Sequence, residues 1–392
     1  MHDKLQSKLS ANFKNGREGT VNKMSELVST SDGQNLMEGI RQIQQYNFAI
    51  GILAMLLVGF GFLMVFVKNY GFSATTGTYL LVATVLPVYL WLKSTGILSE
   101  EAVEPARIES LLFAEFAAAS ALIAMGAVLG RLRVYQYALL GLLLVPFYMI
   151  NEWLVLDGGL GITEGFVDAG GSIVIHAFGA YFGMGLTFAL TSAKQRNEPI
   201  ESDITSDRFS MLGSMILWIF WPSFCSAIVP EAQFEQTVIN VILALCGATL
   251  CTYIMSLLLR KKIAIADIAN ASLAGGVAIG ATCNLVGATG AFGIGLLAGA
   301  LCVIGYTIIQ PRLQEKLKIV DTCGVHNLHG MPGLLGGLVA ILVVPGSVKA
   351  QLVGILVTLI IGIGAGLICG FIIRLSGSKQ AAYEDYDEFI HE

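Results

Sequence analysis

The chain has 392 residues, of which 55% are hydrophobic and 13% charged, with 45 glycines and a formal net charge of −5. Its mean hydropathy is +0.72. These values exclude an ordinary soluble domain and give no basic surface for nucleic acid; they describe a polytopic membrane protein embedded in a lipid bilayer.

Residues 1–45 are polar, with six Lys or Arg and five Asp or Glu, and lack the apolar run of a signal peptide. They read as an N-terminal extension, extracytoplasmic or appended, with helical character around 35–46. A span needs about 20 apolar residues. By that measure eleven are predicted in the region 46–374, at about 46–67, 76–95, 109–130, 134–154, 170–192, 209–229, 236–259, 264–284, 287–309, 325–344 and 350–374. The eighth contains Asp267, Asn270 and many small residues, which suits either a buried polar-lined helix or a half-helix. Fourteen Lys or Arg fall in the loops and tail of one side; only Lys93, Arg107 and Lys349 fall on the other. The positive-inside rule then places the carboxyl terminus in the cytoplasm and the amino terminus outside. Residues 375–392 form a short acidic tail, expected to be solvated and cytoplasmic.

The seven cysteines lie almost wholly inside spans and have no metal-ligand spacing, so neither disulfides nor a metal or other cofactor is expected. The single N-x-S/T sequon, at Asn270, lies within a span and out of reach of glycosylation. No nucleophile–histidine pairing or cofactor loop points to an enzyme.

Two stretches stand apart. DTCGVHNLHGMPGLLGG (321–337) sets Asp321, His326 and His329 at the head of a glycine-rich apolar run. DAGGSIVIHAFGAYFG (168–183) echoes it with Asp168 and His176. Three of the chain's five histidines lie here. A buried histidine is more often a core residue satisfied by a carbonyl. Ionisable groups inside spans are costly, however, and two similar stretches in opposite halves favour a functional reading. Five spans per half, an odd number, force the halves into opposite orientations as an inverted repeat, with an eleventh helix at the end. Both aspartates precede apolar runs, where a side-chain carboxylate caps free helix amides.

At these residues, and at VGFGFLMVF and KNYGFSA (58–74), NEWLVL (151–156), WPSFCSA (221–227) and IANASLAGGVAIG (268–280), the sequence resembles the Rh branch of the ammonium transporter family, across roughly residues 45–375. The resemblance implies a trimer with one pore per subunit in a plasma or inner membrane, and the lack of accessible glycosylation sites and of a long tail points to a prokaryotic one. It implies that ammonium is recruited outside and crosses as ammonia past twin histidines, matched to His176 and His326, with His329 one turn away beside the pore. Asp168 would hold the pore architecture and assist recruitment, with Asp321 as its counterpart. Phe116 and Phe224 would stack to close the outer mouth. Glu115 would gather cations in the vestibule, unless it is merely a loop-end or capping acid. The vestibule tryptophan of the Amt branch is missing near Leu156, so the resemblance implies low affinity and high flux. The Amt signalling tail is missing too, so no such regulation is expected. A dry tunnel for ammonia also admits carbon dioxide, the first rival cargo. A non-conducting ammonium sensor is the second rival, and retention of the histidines counts against it.

Overall fold

Helices carry the whole architecture; among the described residues, 31–98, 107–379 and 381–390, the computed structural model has no strand. Residues 1–30 of the extension lie outside the described residues. The chain divides into two units, Met1–Asn47 and Phe48–Glu392. In the first, residues 31–47 are helical.

Among the described residues, eleven helices are long and apolar enough to cross a membrane: α1 Ser31–Phe66 (its Phe48 onward in the second unit), α2 Gly71–Ser94, α3 Ile108–Val128, α4 Val134–Val155, α5 Ser172–Leu190, α6 Ile204–Ser226, α7 Glu231–Arg260, α8 Ile265–Thr282, α9 Ala288–Leu317, α10 His326–Val343 and α11 Val348–Leu375. The largest departures from the hydropathy reading are the early start of α1 and the late end of α9. In both, the helix continues into polar sequence that a search for apolar runs does not count.

The helix α3 is an alanine-rich rod buried along nearly its whole length. Its counterpart α8 is buried but broken, into Ile265–Ala271, Ala274–Ile279 and a 3-10 turn at Gly280–Thr282. The polar residues that blurred the eighth span mark this break. Its start is pinned by Asp267, fully buried, which accepts from Arg260 Nε (2.7 Å) and Nη2 (2.9 Å) and from Ser256 Oγ (2.8 Å). Such a buried charge holds only because it is paired and hydrogen-bonded.

Two crossings place the centre of the molecule. Gly170 N donates to Gly280 O (2.7 Å), joining the head of α5 to α8, and Cys323 N donates to Gly126 O (3.1 Å), joining the head of α10 to α3. A Cβ on Gly183 would meet the Ala124 carbonyl at 3.2 Å, and one on Gly336 would meet the Ala278 carbonyl at 2.6 Å. Glycine is what lets these backbones approach. The two halves therefore repeat each other's contacts.

The tail folds back on the loops between spans, with Tyr383 and Asp385 buried while Tyr386, Asp387, Glu388 and Ile390 stay exposed. Tyr383 N donates to Gly130 O (3.0 Å), and the Tyr383 ring lies against Gly130, which has φ +81° and no room for a side chain. Lys379 Nζ reaches Glu388 (3.0 Å), and Val134 N donates to the other oxygen of Glu388 (2.9 Å). Asp385 accepts from Phe72 N (2.9 Å) and Ser73 N (2.8 Å), capping α2 from more than 300 positions away in the chain. A charge count sees only an acidic run; it misses that two acids meet helix amides. Asp385→Ala is expected to cost about 1 kcal/mol, the usual worth of such a cap. A lowered thermal unfolding midpoint in detergent would show it, and an unchanged midpoint would mean the cap is idle.

Candidate functional site: a histidine pair between two aromatic flanks

Each histidine-bearing segment is built from the same parts in the same order. Asp168 is followed by Gly171 at φ +73°, a residue needed for a left-handed turn, then by a π-helical turn, Ser172–Ala177, that carries His176. Asp321 is followed by Gly324 at φ +69° and a π-helical turn, His326–Gly330, that carries His329. Turns of this kind are rare and concentrate at functional sites.

The aspartates are caps in both halves, with different geometry. Asp168 Oδ2 alone accepts from Ile173 N (2.9 Å) and Val174 N (2.8 Å), and its Oδ1 has no protein partner. Asp321 uses both oxygens, Oδ1 for Val325 N (3.0 Å) and Oδ2 for His326 N (3.0 Å). Burial pushes the Asp168 carboxyl up to about 7 and the Asp321 carboxyl up to about 6, against the pull of these amides.

The structure pairs His176 with His329, not with His326. The two Nδ1 atoms lie 3.2 Å apart, and the rings are nearly parallel at 10°, with centroids 5.3 Å apart. His326 instead sets its ring edge-on to Tyr181, with centroids 5.7 Å apart. The reason is register. Counted from the aspartates, the shared pattern is Asp-x2-Gly-x4-His, which superimposes His176 on His329 and puts His326 opposite Ile173. Equal spacing from the acid is the signal that selects His329 over His326, the residue that the resemblance implies.

The Nδ1–Nδ1 contact fixes the chemistry of the pair. One ring must donate there and the other accept, so with neutral imidazoles the donor presents a bare Nε2 and the acceptor an Nε2–H. The His176 Nε2 has no protein partner. A small guest that both donates and accepts hydrogen bonds matches the two free ring nitrogens.

Aromatic rings enclose the pair. Trp221 stacks on His176 (5.5 Å, 18°) and Phe60 stacks on His329 (6.1 Å, 25°). Neither ring was singled out from sequence. Trp221 lies three residues before Phe224, on the same face of α6, which is the pattern that would have found it. Beyond Trp221, Phe224 is 5.8 Å from the His176 ring and meets Phe116 edge-on at 4.9 Å. The two phenylalanines do converge, on the His176 side of the pair. At the other end, a cavity of about 20 Å³ adjoins His329 and is lined by residues including Phe60, Leu63, Asn270 and Leu328. That volume holds about one water-sized molecule.

Glu115 is neither a loop-end acid nor a cap. It lies two turns inside α3, fully buried beside Phe116, and both its oxygens lack a protein partner among the described residues. No group of His, Cys, Asp and Glu among the described residues is arranged to hold a metal ion.

Residues 39–392 match the model of the Ammonium Transporter Family. The chain belongs to that family. Among curated relatives it is 34% identical over 366 residues to ammonium transporter Rh type C of Rattus norvegicus, covering 85% of this chain and 73% of that one. It is 41% identical over 305 residues to ammonium transporter Rh type B of Papio hamadryas, covering 74% of this chain and 64% of that one. The family member thus spans about two thirds to three quarters of these relatives. The structure of Nitrosomonas europaea Rh50, described with the mechanism of conduction by the Rhesus family of channels, superimposes with a TM-score of 0.89 at 63% identity, covering 90% of this chain and 93% of that one. A sensor Amt protein shares the fold at 19% identity and a TM-score of 0.78.

Proposed function

We propose that this family member is an ammonia channel, in which ammonium is recruited at the Phe116–Phe224 end, gives up a proton, and crosses as ammonia past His176 and His329. The observation that carries this reading is the paired, neutral-type imidazoles between two aromatic walls. A bare cation in an apolar lumen loses hydration that nothing here replaces. Ammonia is neutral, and its N–H groups and lone pair match the bare Nε2 and the Nε2–H. Sodium and potassium have no proton to shed and are excluded by the closed rings, a hydrophobic constriction of the kind that bars hydrated ions. Asp168, buried beside α5 with one free oxygen, supplies negative charge near the recruiting end, and Glu115 sits behind the gate ring. The excess of basic residues in the loops on the tail's side supports a cytoplasmic tail and, with it, a phenylalanine gate that faces outward. A plasma-type membrane and a trimer with one pore per subunit complete the proposal.

The test is internal pH in proteoliposomes after an inward ammonium gradient, followed by stopped flow beside empty vesicles. Alkalinisation several times faster than the control is expected, since ammonia enters and its proton stays outside. Acceleration only with carbon dioxide, read as acidification, would assign the other gas. No acceleration with either, and no ammonium current, would sink the channel reading.

A further inference from the structure

The internal repeat shows what replaces the phenylalanine gate at the opposite end. Gly126 and Gly280, the acceptors of the two crossing hydrogen bonds, are 154 residues apart, and so are Ala124 and Ala278, which face Gly183 and Gly336. The same offset carries Phe116 onto Asn270. Across α1 and α6, Phe60 and Trp221 hold matching places on the two histidines. Their offset carries Phe224 onto Leu63. Both counterparts, Asn270 and Leu63, line the cavity beside His329. Where one end has two rings in contact, the other has a carboxamide, a leucine and an open space.

Asn270 is also oriented. Its Nδ2 donates to Ala266 O (2.9 Å), one turn back along α8. No protein group among the described residues donates to its carboxamide oxygen, which remains available as an acceptor at this residue of the cavity lining. We propose that Asn270 forms a second substrate subsite, at the tail-side mouth, that accepts an N–H of ammonia or ammonium one step beyond His329. This rests on the ammonia-channel reading and adds to it a residue that distinguishes the two ends. A molecule leaving His329 carries N–H donors into a cavity walled mostly by carbon; an acceptor there keeps one of them satisfied until water is reached. Carbon dioxide has no N–H or O–H to donate, so the subsite does nothing for it.

The experiment uses full-length protein in vesicles sorted to one orientation, with ammonium presented from either face. Asn270→Leu is expected to raise the half-saturating ammonium concentration about fivefold from the tail face, the worth of one neutral hydrogen bond, and to leave the value from the gate face unchanged. Asn270→Asp, which keeps an acceptor in place, returns the tail-face value to the wild-type level or below. No change in Asn270→Leu, or an equal rise from both faces, overturns the subsite, since a merely structural role has no sidedness. Failure of Asn270→Asp to restore the value overturns it as well. If wild-type vesicles conduct no ammonia, the channel reading fails and the subsite with it; conduction with an unaltered Asn270→Leu sinks the subsite alone.

Discussion

Replacing His329 with Leu is expected to lower ammonia flux at least about tenfold, while His326→Leu leaves it within about threefold of wild type. The first substitution removes one member of the 3.2 Å Nδ1 pair. It leaves the His176 Nδ1 buried without a partner and removes one of the two ring nitrogens offered to the guest. Each lost or orphaned buried hydrogen bond costs roughly 1–3 kcal/mol, and about 1.4 kcal/mol is a factor of ten in rate. Leucine roughly preserves side-chain volume, so the effect reports lost hydrogen bonding rather than a widened lumen. The second substitution alters a ring that faces Tyr181 and makes no ring contact with His176 or Phe60 among the described residues. The readout is the alkalinisation rate in proteoliposomes, with protein content matched and folding checked by thermal unfolding. If His326→Leu were the more damaging of the two, the pairing drawn from the structure would be wrong.

The same histidines mark how far the sequence can be read. Eleven spans follow from apolar length alone, because a bilayer imposes that length on every crossing. The opposed halves follow from counting spans. Asp168, Asp321, His176 and His329 stand out as residues, and Phe116 and Phe224 only through the resemblance; the structure brings the two histidines together and the two phenylalanines together. Which histidine meets which was legible too, but only when the halves are aligned on their aspartates. The stacking of Trp221 and Phe60 was not, because aromatic residues are common in spans and only three-dimensional register separates a wall from the lipid face. The fold-back of the tail was hidden for a different reason. Asp385 and Glu388 find their partners at Phe72, Ser73 and Val134, and no local pattern announces a cap supplied from so far along the chain.

The two aspartates, alike in sequence, are expected to respond differently to the same substitution. Asp168 serves both amides through Oδ2, so Asp168→Asn in the same rotamer keeps both bonds through the new amide oxygen. Asp321 spends one oxygen on each amide, so Asp321→Asn must surrender one of them. Asp168→Asn is therefore expected to unfold within a few degrees of wild type, and Asp321→Asn to lose about 1–3 kcal/mol for the amide left unpaired. Asp168→Ala, which strands Ile173 N and Val174 N together, should be worse than Asp168→Asn by at least that much. The pH dependence separates charge from capping. The folded-state pKa of Asp168, about 7, lies above the ordinary 3.8, so between those values the folded chain holds a proton that the unfolded chain has released. Stability from this group is present below about pH 4 and falls as pH rises to about 7. Asp168→Asn has no such proton to lose, so its unfolding midpoint relative to wild type should climb from pH 5 to pH 8. Above about pH 7, where the wild-type carboxyl is charged, its ammonia flux should fall well below wild type, because the cap survives and the negative charge near the recruiting end does not. A midpoint difference that runs the other way with pH would show that the fold favours the charged carboxylate. Undiminished flux would confine Asp168 to capping.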